Sequence, residues 1–116
     1  MTIICYPTCS TCKKAVAFLE ERGVEYTYRD IKQENPGKDE LRELHRRSNV
    51  PLKRFFNTSG QRYRALNLKD RLGEFDEEAM LDLLSSDGML VKRPLLVAET
   101  FVLIGFKKEE WDAKLT

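Results

Sequence analysis
The spacing of apolar positions changes several times along this chain, and each change marks an element. Thr2 to Cys5 is a short β-branched run, Tyr6-Pro7-Thr8 a turn, and Ser10 to Arg22 a helix whose Ala15, Val16, Phe18 and Leu19 share one face. Gly23 ends that helix, because glycine tolerates the positive φ that helix C-termini commonly adopt. From Val24 to Arg29, Val24, Tyr26 and Tyr28 alternate with polar residues, the period of a half-buried strand. Two parallel strands joined by a helix cross over in the right-handed sense, which puts the turn before the helix at the C-terminal edge of the sheet.

The middle of the chain reads as helical. Asp39 to Arg47 has Leu41, Leu44 and His45 on one face, and Pro51 to Phe56 is a short helix or turn. Asn57-Thr58-Ser59-Gly60 breaks the pattern, and Gln61 to Leu66 and Leu68 to Leu72 are short helices. Asp76 is an N-cap for a helix with Ala79, Met80, Leu83 and Leu84 as its buried stripe, closed by Ser85 to Gly88. Leu95 to Ala98 and Phe101 to Ile104 are apolar runs joined by Glu99-Thr100, a β-hairpin, and Lys107 to Leu115 is a last helix packing through Trp111. The sum is α/β: a small mixed sheet built as β-α-β then β-β-α, with a thioredoxin-like arrangement and a helical insertion over about residues 36–90.

Composition narrows the class. A chain of 116 residues, 41% hydrophobic and 34% charged, fits one domain spanning residues 1–116 and is too apolar for disorder. With 20 Lys and Arg against 19 Asp and Glu, the net charge of +1 argues against direct nucleic-acid binding. The N-terminus reads directly as a strand rather than a signal peptide, and no apolar run approaches the roughly 20 residues of a membrane span. The expectation is a cytoplasmic protein with no membrane partner, in which a close cysteine pair is catalytic or metal-binding rather than a permanent staple.

That pair is Cys9-Ser10-Thr11-Cys12. A cysteine at a helix N-terminus meets unpaired backbone N–H groups and the positive end of the helix dipole, so Cys9 is expected to accept backbone hydrogen bonds and to react as a thiolate. Cys12, one turn on, is placed to resolve a mixed disulfide formed at Cys9. Cys5 ends an apolar strand and reads as a packing residue. A zinc site would need a second paired ligand motif, and Cys5 and the lone His45 do not supply one, so no metal is expected. Arg93-Pro94 precedes a strand, where the proline can take a cis peptide and Arg93 can stabilise a thiolate or bind an anionic group. Lys13, in the first helical turn, opposes the dipole and so reads as a functional cation.

Cys9 to Lys14, the run Phe56-Asn57-Thr58-Ser59-Gly60 leading to Tyr63-Arg64, and Leu90-Val91-Lys92-Arg93-Pro94 before a hairpin together resemble the arsenate reductase (ArsC)/Spx family, end to end. The resemblance implies a thioredoxin-like fold, Cys9 at the nucleophile position and Arg93-Pro94 at the arginine and cis-proline position. Asn57 and Phe106 stand where glutaredoxin-coupled arsenate reductases carry further arginines, and Cys12 stands where they lack a cysteine. The Cys-x-x-Cys pair looks like the redox switch of Spx regulators, which bind the RNA polymerase α subunit and carry a longer C-terminal tail than a chain ending at Thr116. The chain looks most like the short arsenate reductase-like branch of the family.

The function expected is thiol–disulfide oxidoreduction of a small-molecule or protein disulfide. Cys9 is the nucleophile, Cys12 the resolving thiol and Arg93 their electrostatic support, with Lys13, Asn57, Arg93 and Pro94 toward the substrate. No tightly bound cofactor is implied; glutathione, glutaredoxin or thioredoxin is the expected reductant. Arsenate reduction is the enzymatic alternative, and a redox-controlled regulator binding RNA polymerase the non-enzymatic one.

Overall fold
A computed structural model describes residues 1–115; Thr116, the end of the expected domain, lies outside them. Thr2–Cys5 (β1), Thr27–Asp30 (β2), Leu95–Val97 (β3) and Val102–Ile104 (β4) form one mixed sheet in the order β2-β1-β3-β4. β1 and β2 are parallel, and β3 runs antiparallel to both β1 and β4. The helices are α1 (Ser10–Glu21), α2 (Lys38–Ser48), α3 (Gln61–Ala65), α4 (Leu68–Arg71), α5 (Glu77–Ser86) and α6 (Lys108–Leu115). Single 3₁₀ turns cover Leu52–Phe55, Leu72–Glu74 and Gly88–Leu90.

Because successive strand residues face opposite ways, the sheet sorts its side chains into two cores. Ile4, Leu95, Val102 and Ile104 join Leu41, Leu44, Leu81, Leu84 and Phe55 on the side of α2 and α5. Ile3, Cys5, Leu96 and Leu103 join Cys12, Ala15, Phe18, Leu19 and Trp111 on the side of α1 and α6. Both faces of the sheet are therefore covered, and the thiols of Cys5 and Cys12 share the second core.

Two elements depart from the periodicity reading. β2 starts at Thr27, three residues later than expected, because the end of α1 uses Val24. Gly23 lies at φ +66°, its N–H donates to Glu20 O at 3.1 Å, and Val24 N–H reaches Leu19 O at 3.1 Å, a Schellman cap that claims Val24 for the helix. In α5 the fully buried residues are Leu81 and Leu84, with Met80 and Leu83 only half-buried. Asp76 caps this helix as expected, accepting Ala79 N–H at 2.8 Å, but α2 and two 3₁₀ turns pack on it together, so the covered face is wider than one stripe. Gly88 meets a stricter demand than closing the helix: a Cβ there would lie 2.1 Å from Ile31 O, a backbone atom.

Candidate active site
The thiols sit where β1 passes into α1. Cys5 ends β1, Tyr6-Pro7-Thr8 turn the chain, and Cys9 N–H donates to Tyr6 O at 3.0 Å. Cys9 occupies the N-cap position in extended conformation (φ −77°, ψ 122°), its carbonyl accepting Lys13 N–H at 3.1 Å. It is half-buried, whereas Cys12 is 2% exposed and Cys5 fully buried. All three cysteines are free thiols. Cys5 is buried as a packing residue should be, but it also touches the chemistry, a contact that the apolar run around it did not signal.

The expected helix-end stabilisation falls on a different sulfur. Cys9 makes no side-chain cap hydrogen bond. Cys12 Sγ instead accepts the Tyr6 backbone N–H at 3.4 Å, beside the end of β1. Hydrogen bonding by Cys5 foremost, then by the Tyr6 N–H and Cys9, with Arg93's positive charge, outweighs burial and brings the Cys12 thiol down to about 6. The same contact pushes Cys5 up, since it is the donor and is itself buried beside Cys12's charge. The physical reason is depth. A sulfur one turn into the helix faces the strand end and the turn from below, while a sulfur at the cap points toward solvent.

A titration follows. Thiolate ultraviolet absorbance is expected to fall as pH is lowered through about 6, because Cys12 takes up its proton there, and Cys12→Ser should remove that step. A wild-type profile with its first step only near the ordinary cysteine value would contradict it.

Backbone pairing brings the remaining site residues together. Asn57 N–H donates to Leu90 O at 2.8 Å, Lys92 N–H donates to Phe55 O at 2.6 Å, and Phe56 bridges Val91. This clasp sets the polar loop after Phe56 against the segment carrying Arg93, and both face Cys9. Cys9, Asn57, Ser59, Lys92, Arg93 and Phe106 line one cavity of about 530 Å³. The Arg93-Pro94 peptide is cis, and Pro94 is buried, its carbonyl accepting Gly105 N–H at 2.8 Å. Arg93 places its guanidinium 5.4 Å from the centre of the Tyr6 ring and donates to Met89 O at 3.5 Å. Through Tyr6, Gln61 and Arg93 the cavity adjoins another of about 520 Å³.

Lys13 stands apart. It is absent from the lining of the Cys9 cavity and lines another groove of about 320 Å³ with Tyr6, Cys12, Val16 and Tyr28. His45 is half-buried, its ring edge-on to Phe55 at 5.9 Å, away from the thiols. Among the described residues no group of three His, Cys, Asp or Glu side chains is arranged to hold a metal ion, and no helix is long and apolar enough to cross a membrane.

A parallel β-α-β unit, a following β-hairpin, a Cys-x-x-Cys at the N-terminus of α1 and a cis-proline after the arginine define a protein of the thioredoxin-like class. Residues 5–114 match the ArsC family, and the chain belongs to that family. It is 46% identical to the uncharacterized protein YusI of Bacillus subtilis, over 97% of this chain and 95% of YusI. An ArsC family related protein from Bacteroides fragilis, of known structure, superposes with a TM-score of 0.94 at 48% identity, covering 97% of this chain and 94% of that one. The global transcriptional regulator Spx of Listeria monocytogenes is 26% identical over 95% of this chain and 82% of its own.

Proposed function
We propose that this protein is a thiol–disulfide oxidoreductase in which Cys9 attacks and Cys12 resolves. The observation that supports it most is the pairing of a half-buried Cys9, open to a cavity, with a buried Cys12 one helical turn on, whose Sγ accepts the Tyr6 N–H at 3.4 Å and whose thiol is brought down to about 6. As Cys9 attacks one sulfur of a substrate disulfide, its proton passes to Cys12; the substrate S–S bond breaks and the first thiol leaves with a proton from solvent. Cys12 then loses its proton again, which its low pKa favours, and attacks Cys9 Sγ, forming the Cys9–Cys12 disulfide and releasing the second thiol. Two electrons from glutathione, glutaredoxin or thioredoxin restore the dithiol.

The cavity favours a disulfide over arsenate. Its lining includes two cations, Lys92 and Arg93, while Asn57 and Phe106 bring no charge. Its volume, continued past Arg93, lies in the range that holds a ligand much larger than an oxyanion. Pro94 is buried and outside the lining, and Arg93 and Asn57 are the groups a substrate carboxylate or amide would meet.

The purified protein, assayed on a peptide–glutathione mixed disulfide and on arsenate with each of the three donors, should reduce the disulfide with at least one donor. Arsenate reduction without disulfide reduction would replace this reading with the arsenate one, and no turnover on either would remove the enzymatic reading. The likeness to Spx along 95% of this chain supports a second reading, a redox-controlled partner of a protein such as RNA polymerase. Equal capture of the RNA polymerase α subunit by oxidised and reduced protein, or no capture, would remove it.

A further inference from the structure
Cys5 is a buried nucleophile that the two-cysteine cycle leaves unused. It is 0% exposed at the end of β1, in the same core as Cys12, and Cys12 Sγ accepts at 3.4 Å the N–H of the peptide that joins Cys5 to Tyr6. Cys12 thus neighbours two cysteines of one core, Cys9 one helical turn before it and lining the cavity, and Cys5 at the end of β1. A sulfur bonded to one neighbour while in contact with another is the arrangement thiol–disulfide exchange requires.

We infer that Cys5 is a third redox thiol, which takes the disulfide from the Cys9–Cys12 pair into the core as Cys5–Cys12. The inference rests on the two-cysteine reading, because it needs Cys9–Cys12 as its starting point. In the exchange the Cys5 sulfur attacks Cys12 Sγ. The Cys5–Cys12 bond forms, the Cys9–Cys12 bond breaks, and Cys9 leaves as a thiolate that takes up the proton Cys5 gave away. One disulfide exists before and after, so no outside oxidant or reductant enters the step.

What keeps Cys5 protonated in the reduced protein is first its hydrogen bonding to Cys12, then burial, then the negative charge of Cys12. Both contributions from Cys12 disappear once its sulfur is in a disulfide with Cys9. Oxidation of the pair therefore removes two of the influences that hold Cys5 silent, while its burial remains. The consequence is that Cys9 becomes a free thiol again in a protein that is still oxidised, able to engage a second disulfide or a reductant from the cavity side.

The test maps which thiol is left free. Wild-type protein treated with diamide is unfolded in acid, alkylated with a maleimide, and its one-disulfide form is sequenced by mass spectrometry. Label on Cys9 in a reproducible fraction of molecules is expected; label on Cys5 alone would overturn the relay. Cys9→Ser, with only Cys5 and Cys12 remaining, should lose both thiols on the same treatment as a monomer lighter by two hydrogens. Two thiols surviving in that variant, shown to be folded by circular dichroism, would also overturn it. Cys5→Ser separates the two ideas: it should still form Cys9–Cys12, and its failure to do so while folded would count against the proposed function rather than the relay alone.

Discussion
Replacing Cys9 by serine is expected to lower disulfide turnover by roughly three orders of magnitude or more, because the nucleophilic sulfur is lost from the only one of the three cysteine positions open to the cavity. A serine hydroxyl in the same place stays protonated at neutral pH, and the nearby Cys12 thiolate is too weak a base to change that. Cys12 cannot substitute, since it is 2% exposed. Steady-state rates of Cys9→Ser and wild type on the same mixed disulfide make the comparison. A loss smaller than about tenfold would place the attacking thiol elsewhere.

Trp111→Ala is expected to destabilise the fold by about 3–5 kcal/mol. Trp111 is fully buried and is the buried residue of α6, so the helix depends on it for its attachment. Its ring packs edge-on against Phe106, with centroids 4.9 Å apart, and against Phe18 at 6.2 Å. Its indole N–H donates to Gly105 O at 3.0 Å, in the turn that leaves β4 at φ +76°. Truncation leaves a large void and an unpaired buried carbonyl, and it frees Phe106, which forms one wall of the Cys9 cavity. Urea unfolding at unchanged m reads the effect, and Trp111→Phe, which keeps the ring and loses the hydrogen bond, should cost less than half as much. A Trp111→Ala midpoint within about 1 kcal/mol of wild type would show that α6 is held by other contacts.

Local patterns carried much of this structure because local physics determines it. The β-branched run at Thr2 to Cys5, the cap at Asp76 and the Glu99-Thr100 turn each depend on residues close in sequence, and each forms as read; Ala98 N–H closes the turn on Phe101 O at 2.9 Å. The Cys9 to Cys12 spacing likewise placed one thiol at the helix cap and the other in the core. What escaped was set by long-range contacts. Asn57 and Arg93 were expected at one site through the family resemblance, but nothing near Asn57 says that Leu90 will take its N–H, the pairing that brings the two into one cavity. Gly88 looked like a helix terminator, while its role is to let Ile31's backbone approach.

Cys5 is the sharpest case. A cysteine among isoleucines has the pattern of a packing residue, and burial confirms that much. Its contact with Cys12 depends on where α1 lies over β1, and no sequence spacing encodes that distance. The same packing moved the site of thiolate stabilisation from Cys9, where the helix dipole alone would put it, to Cys12, which meets the Tyr6 N–H at 3.4 Å and is favoured as a thiolate by Cys5 and Arg93.

The division of labour between the two thiols is tested most directly by trapping the intermediate. Cys12→Ser incubated with glutathione disulfide should accumulate a stable glutathione adduct on Cys9, seen by intact-mass and peptide mass spectrometry, while wild type passes through that adduct to the Cys9–Cys12 disulfide and releases both glutathiones. An adduct on Cys5, or no adduct in Cys12→Ser while wild type still turns over, would contradict attack by Cys9 and resolution by Cys12.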